Sequence, residues 1–514
     1  MNSIGTSTAC FDILDCSTMA ANKQALSSIS VYENFAVGIT LVVLSIRLCL
    51  MPIGSSLSLD ETGTFWVIQG SLPQTVARAQ SLSPQSGLYM AIVWMFQAAV
   101  GSSEVALRLP SLMAYSLGGV MLYRIGKRLL DIPSALTALV VFVALTSRCA
   151  CDARPYALAL FLGIAATWYV IRWLDRGNLS DGSLFAILSA LTVYCHFLFG
   201  TMAIVSLLYA VFRIRFGSPV TWYHLAVVTM LLILCVAPLT PQLLVASTVR
   251  SIWSSHPAPS LSDLFENVAP PFLAVSVLSG ALACAVLLPG FRYFRAATRS
   301  GDLILMLLGA GTAPLLLFFV SRITGLNIFQ TRYFSSAAPG IALLTAWAIR
   351  GFEPRRARIV LTFAIAFSAL LVQGGVRLKV RHDRENWRDA IAAARAASGN
   401  MPILVRSGFD EAPDPKSYSG PSNARLVLTP LVAYPLTGRV IRLPNRASPQ
   451  AFRDLDAAIP EVLGKGGGFL LVSSWDETAY LNWLEGRLYT AGFRSRSLGD
   501  FGALSVHVFE RLAR

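Results

Sequence analysis

Residues 35–66 read FAVGITLVVLSIRLCLMPIGSSLSLDETGTFW. From Phe35 to Ile53 the only charge is Arg47, and a helix of that length rises far enough to cross most of the about 30 Å of hydrocarbon in a bilayer. Immediately beyond this apolar run stand two adjacent carboxylates, Asp60 and Glu61. A membrane helix that delivers a pair of acids to one surface is the pattern on which the rest of the chain builds.

The same apolar pattern recurs at Val105–Tyr123, Ile132–Ser147, Tyr156–Trp173, Leu184–Phe199, Thr201–Phe216, Tyr223–Val245, Pro271–Pro289, Leu303–Val320, Ser335–Ile349 and Ile359–Gly374. With 54% hydrophobic and 14% charged residues, the chain is too apolar for an ordinary soluble domain. The expected architecture is an all-α polytopic membrane protein of about 11 transmembrane helices. Gly87–Val100 is apolar but short, as an interfacial or re-entrant segment is. Leaving it out of the count places roughly twice as many basic residues in the cytoplasmic turns, among them Arg124, Lys127, Arg128, Arg292, Arg350 and Arg355, as in the opposite loops. The net charge of +14 is therefore topological, and no nucleic-acid partner is expected.

This reading divides the chain into a cytoplasmic tail (1–34), a transmembrane module (35–375) whose first external loop is 54–104, and a periplasmic α/β domain (376–514). The tail lacks the basic start and cleavage site of a signal peptide, so the first apolar run is expected to stay as an anchor. The protein is expected in the inner (plasma) membrane as a multi-pass protein with its N-terminus cytoplasmic. Beyond Val376 the composition turns mixed and polar. Asn386–Ala397 and Glu477–Tyr489 read as helices, Ile403–Arg406 and Phe469–Ser473 as buried strands, and Ala503–Phe509 as a strand with one exposed face. Gly464–Gly468 lacks the spacing of a phosphate-binding loop and reads as a turn before a strand. The eight cysteines form no disulfide or zinc pattern.

With this topology the loop holding Asp60 and Glu61 and the loop Cys151-Asp152-Ala153-Arg154-Pro155-Tyr156 open on one membrane surface. Taken alone, the acids read as interfacial charges at helix ends. Together they suit a glycosyl transfer, in which a base deprotonates a hydroxyl while a phosphate departs. Arg154, Arg322 and Arg332 lie on the same side, and a planar guanidinium grips a phosphate through two hydrogen bonds. His196, at a helix end, would orient a carboxylate or touch a phosphate, although a lone histidine there is more often a structural hydrogen-bonder. No ligand cluster assigns a metal, though the paired carboxylates leave room for a divalent cation.

LDETGTFW at Leu59–Trp66, ALRLPSLMAYSLGGVMLYRIGKRLL at Ala106–Leu130, DARPYALALFLG at Asp152–Gly163, YCHFLFG at Tyr194–Gly200, RYFSSAAPGIALL at Arg332–Leu344 and NWRDAI at Asn386–Ile391 together carry a resemblance. In their order and spacing they resemble the GT-C membrane glycosyltransferases, in the protein O-mannosyltransferase-like branch that includes the lipid A aminoarabinose transferase and the rhizobial lipopolysaccharide galacturonosyltransferases. The resemblance implies interfacial helices in the first external loop and Asp60 as general base with Glu61 beside it. It implies Asp152 as a second acidic position and an Arg332-Tyr333 pair on the carrier-phosphate side. Where relatives carry His-Pro-Pro-Leu-Tyr, this chain has Gln85-Ser86-Gly87-Leu88-Tyr89.

The expected activity is inverting transfer of a sugar from a polyprenyl-phosphate donor to an envelope glycan or lipid such as lipopolysaccharide. Asp60, Glu61 and Asp152 are the expected catalytic residues, and Arg154, Tyr156, His196, Arg332 and Tyr333 the substrate-binding ones. A protein acceptor is the nearest alternative. A lipid-linked glycan transporter or a non-catalytic scaffold is the rival from another class, against which stand acids gathered at one surface and no visible internal repeat.

Overall fold

Apolar segments become helices because lipid offers the backbone no hydrogen-bond partner, so each segment must close its own bonds. The computed structural model describes residues 31–82, 87–242, 258–294, 299–326, 328–377, 385–399, 401–408, 428–436, 438–445, 447–463, 467–474 and 478–511. Most of the N-terminal tail (1–30), the Gln85–Ser86 departure from the family pattern, the end of the expected Tyr223–Val245 span and residues 464–466 of the glycine turn lie outside them.

Among the described residues, seven helices are long and apolar enough to cross a membrane: Val31–Gly54, Glu104–Leu129, Ile132–Cys151, Tyr156–Arg176, Phe197–Arg215, Trp222–Gln242 and Ser300–Thr324. Leu261–Val268 and Pro271–Leu287 make an eighth if counted as one span, bent by 55°. The other segments expected to cross are helices of different form. Leu179–Cys195 has 17 residues, and Ala338–Arg350 has 13 and is entered through a 3₁₀ stretch, Thr331–Ala337. Arg355–Val372 carries Arg355, Arg356 and Arg358 in its opening residues. Gly87–Val100 is a 14-residue helix packed against Leu72–Leu82 and Glu104–Leu129, with Tyr89 buried and its hydroxyl 2.9 Å from Ser111 Oγ.

The first helix changes to π geometry at Ile46–Leu50 and to 3₁₀ at Met51–Gly54. There Arg47 turns inward and donates to the carbonyls of Gly375 (Nε, 2.8 Å) and Arg377, joining the end of the first helix to the end of the last. At the opposite ends of the bundle, Arg128 and Arg213 pair with Asp175, Arg350 with Asp131, and Arg172 with Asp181.

The C-terminal part is a five-stranded mixed sheet in the order Val440–Arg442, Ile403–Arg406, Gly468–Ser474, Leu504–Arg511, Phe493–Asp500. The first three strands are parallel and the last two antiparallel. One face packs on Trp387–Ser398 around the buried Trp387, and the other on Pro449–Leu463 and Ala479–Tyr489. In the Leu504–Arg511 strand, Leu504, Val506 and Val508 are buried as expected. The alternate face, expected to be exposed, is half-buried at Ser505 and His507 because helix Ala479–Tyr489 lies on that side of the sheet.

Close helix contact in lipid depends on small side chains, because apolar area gains nothing by leaving one oil for another. Gly309 and Gly340 supply it: a Cβ built on Gly309 would stand 3.0 Å from Gly340 Cα, and one on Gly340 would overlap the Gly309 and Ala310 backbone. Gly340→Val should therefore lower thermal stability in detergent by about 1–3 kcal/mol or more through overpacking. Gly486→Ala, where an added Cβ meets nothing within 4 Å, should be neutral or stabilising.

Candidate active site

The Leu59–Val67 helix begins with a capping box in which Ser58 is the N-cap and Glu61 accepts from the Ser58 amide at 2.9 Å. That places Asp60 and Glu61 one residue apart at the helix start, about 100° apart around its axis. The two acids separate accordingly. Glu61 is completely buried, whereas the Asp60 side chain is about half exposed (48%).

Asp60 lies between two guanidiniums. Arg154 Nη1 stands 3.1 Å from its Oδ1, and Arg332 Nη1 3.4 Å from its Oδ2. Arg154 is reached through a tight turn in which its amide donates to the Asp152 carbonyl at 2.8 Å. Its Nη2 donates to Tyr156 Oη at 3.1 Å, and its guanidinium sits 5.4 Å from the Tyr156 ring centroid. Arg332 holds the same relation to its own neighbour, 5.3 Å from the Tyr333 ring. Between the two tyrosines lies His196, its centroid 5.4 Å from Tyr156 and 5.2 Å from Tyr333, with Phe199 closing the cluster at 5.3 Å. His196 Nδ1 and Arg154 Nε are buried with no hydrogen-bond partner among the described residues.

Six of the eight expected residues, Asp60, Arg154, Tyr156, His196, Arg332 and Tyr333, thus meet in one cluster. Asp152 is half-buried at the C-terminus of Ile132–Cys151 and shapes the turn that aims Arg154. Glu61 belongs to a different assembly: its oxygens accept from Arg108 Nε and Nη2, each at 2.7 Å, and from the Ala153 amide at 2.7 Å. Arg47, the one charge of the first apolar run, joins the ends of two helices, and Arg322 is exposed at the end of Ser300–Thr324. Among the described residues no group of three or more His, Cys, Asp or Glu is arranged to hold a metal ion.

Inward of the cluster, Glu104–Leu129, Tyr156–Arg176, Gly200–Arg215, Ser300–Thr324 and Ala338–Arg350 enclose an apolar slot lined by Leu122, Ile164, Met202, Leu305 and Leu343. Ser336, whose hydroxyl donates to the Tyr333 carbonyl at 2.9 Å, lines it too.

A family model described as dolichyl-phosphate-mannose-protein mannosyltransferase matches residues 86–240. The structure is similar to that of ArnT from Cupriavidus metallidurans in the apo state, with a TM-score of 0.53 at 12% identity over 94% of this chain and 98% of that one. The same enzyme bound to undecaprenyl phosphate gives 0.52 at 11% identity over 92% and 97%. No curated protein sequence matches significantly. The chain has an ArnT-like GT-C fold.

Within this GT-C fold, several residues that position the cluster escaped the sequence reading. Arg108 stands inside the apolar run Val105–Tyr123, and an arginine flanked by apolar residues in a membrane helix is itself a signal. Glu385 Oε2 accepts from the Leu59 amide at 2.6 Å and from Trp387 Nε1 at 3.2 Å. Burial, opposed by those hydrogen bonds, raises its pKa above the usual carboxylate range. Tyr434 Oη accepts from the Leu57 amide at 2.8 Å and donates to Glu104 at 3.2 Å, and burial pushes its pKa up to about 12.

Removing one partner of a buried ion pair strands the other charge, at a cost of about 3–5 kcal/mol. Arg108→Met should lower the thermal midpoint sharply, whereas the double variant Arg108→Met/Glu61→Gln should recover part of that loss. Melting curves of the purified single and double variants read this directly; additive losses would show that the two side chains are not coupled.

Proposed function

We propose that the protein is an inverting glycosyltransferase that moves a sugar from a polyprenyl-phosphate donor to an envelope glycan or lipid. The observation that carries this reading is Asp60 held between Arg154 and Arg332, with Tyr156, His196 and Tyr333 beside them. An anionic phosphate on a long apolar tail needs guanidiniums for its charge and apolar helices for its tail, and this chain has both. The fold it shares with ArnT, a structure of which holds undecaprenyl phosphate, supports the same donor class.

In this mechanism Arg154 and Arg332 receive the donor phosphate, with Tyr156, His196 and Tyr333 packed around them. The acceptor hydroxyl gives its proton to Asp60 as its oxygen attacks the anomeric carbon. The bond from that carbon to the phosphate oxygen breaks on the opposite face, and the polyprenyl phosphate leaves with the electron pair, its charge met by the arginines. A phosphate between the guanidiniums competes with Asp60 for them. Glu61 acts at one remove, as a positioning residue. The basic bias of the opposite helix ends supports a periplasmic site in the inner membrane, with the N-terminus cytoplasmic and the sheet domain outside.

Purified protein incubated with a panel of polyprenyl-phosphate sugars and with envelope glycan or secreted protein tests the reading. Donor should be consumed and one acceptor class labelled; labelled protein alone would favour the O-mannosyltransferase-like alternative. Asp60→Asn should reduce transfer by about 10²–10⁴-fold, the usual worth of a general base, while leaving the melting curve unchanged. Arg332→Lys, which keeps the charge and loses the fork, should raise the donor KM. Near-normal turnover in Asp60→Asn would remove the assignment.

A further inference from the structure

Outside this cluster, the sheet domain has a second opening. It lies at the carboxyl end of the parallel strand Gly468–Ser474, where open α/β sheets characteristically bind ligands. Its volume is ≈ 300 Å³, at the lower end of the roughly 300–1,000 Å³ of small-molecule sites. Ser473, Ser505 and His507 face it from neighbouring strands; Thr478 faces it from the start of Ala479–Tyr489 and Asp500 from the edge strand. Ser473 is 5% exposed. Its hydroxyl and His507 Nδ1 are buried without a hydrogen-bond partner among the described residues.

We propose that this opening is a subsite for the hydroxyl-rich sugar portion of the acceptor glycan, an assignment that rests on the glycosyltransferase reading above. The lining selects the chemistry. Among the described residues it contains no lysine or arginine and it does contain a carboxylate, so an anion is disfavoured. Three hydroxyls, an imidazole and a carboxylate offer donors and acceptors in mixture, which suits the paired donor and acceptor character of a sugar hydroxyl. Burial lowers the His507 pKa, so the ring is neutral near pH 7 and presents one donor and one acceptor. A buried polar atom without a partner costs free energy that a hydroxylated ligand recovers.

The subsite is also coupled to the reacting end. Gly502, on its rim, is bridged to Glu385, whose carboxylate holds the amide of Leu59, the residue before Asp60. An acceptor glycan held here would be anchored two contacts away from the helix that carries the base.

Saturation-transfer NMR on the full-length protein in detergent, with glucose, galactose, mannose and N-acetylglucosamine as probes, tests the subsite without requiring turnover. At least one sugar should give a signal in the wild type that falls about tenfold in both Ser473→Val and Ser505→Tyr, variants chosen to remove a hydroxyl and to fill the space. Their melting curves should match the wild type, and Asp60→Asn should leave the signal intact. No signal from any sugar, or a signal that survives both pocket variants, overturns the subsite even if donor is consumed. A pocket-dependent signal in a protein that consumes no donor leaves a sugar site and removes its assignment to an acceptor.

Discussion

The Arg108 guanidinium is the point from which the membrane mouth of this protein is organised. It has five N–H donors and each finds an acceptor: the two Glu61 oxygens, and the carbonyls of Ile53, Ser55 and Ser56, all at 2.7–2.9 Å. Both side chains are fully buried, and taking two charges out of water is costly enough that such a pair is poor evidence of net stability. What it contributes is register. Glu61 accepts from Arg108, from the Ser58 amide at the start of its own helix, and from the Ala153 amide in a loop 92 residues away. With Glu61 fixed to Ala153, the neighbours Asp60 and Arg154 have little choice but to meet.

Adjacent acids in a sequence thereby acquire opposite roles. Helical geometry turns consecutive side chains about 100° apart, so one of a pair can be locked into the protein while the other faces the opening. Glu61 is bidentate, dry and rigid. Asp60 and Arg332 are each 40% or more exposed and 3.4 Å apart, an arrangement worth about 0–1 kcal/mol in water. A weak pair beside a strong one suits a site in which a guanidinium would exchange a carboxylate for a phosphate: the exchange costs little, and the buried Glu61–Arg108 pair is left intact.

The parts of this arrangement that were legible in the sequence are those set by one-dimensional constraints. Hydrocarbon thickness dictates helix length, so most membrane helices could be read from apolar run length. Alternation of helix ends brings Asp60, Arg154, Tyr156, His196 and Arg332 to one surface, and the family resemblance adds Tyr333. Lone runs gave less at Ala338–Arg350, where a 3₁₀ entry replaces part of the expected span, and at Pro271–Leu287, which is bent away from the helix before it. Tertiary choices left no trace. Nothing in the types Asp and Glu says which will be buried, and Arg108 differs from a loop arginine only by what surrounds it. In the sheet domain, the edge strand Phe493–Asp500 is too polar and too exposed to alternate, and Pro460 inside Pro449–Leu463 breaks the usual signature of a helix.

The sheet domain's attachment explains why it is joined to this membrane module. Short helices are marginal on their own, and the nine-residue helix bearing Asp60 has few internal hydrogen bonds to hold its first turn. Its N-terminus is instead gripped from the C-terminal part of the chain: Glu385 takes the Leu59 amide, the Arg388 amide donates to Ser56 Oγ at 3.0 Å, and Tyr434 takes the Leu57 amide. Thr429 Oγ1 lies 3.0 Å from Thr62 Oγ1, and Leu59 itself packs in the sheet domain's core. Arg108 and Glu61 fix this helix to the membrane module, and the sheet domain fixes it from its other side. The carboxylate of Asp60 therefore sits on an element whose position is set jointly by both parts of the chain, so a displacement of the sheet domain would reach Asp60 through the backbone amides it holds.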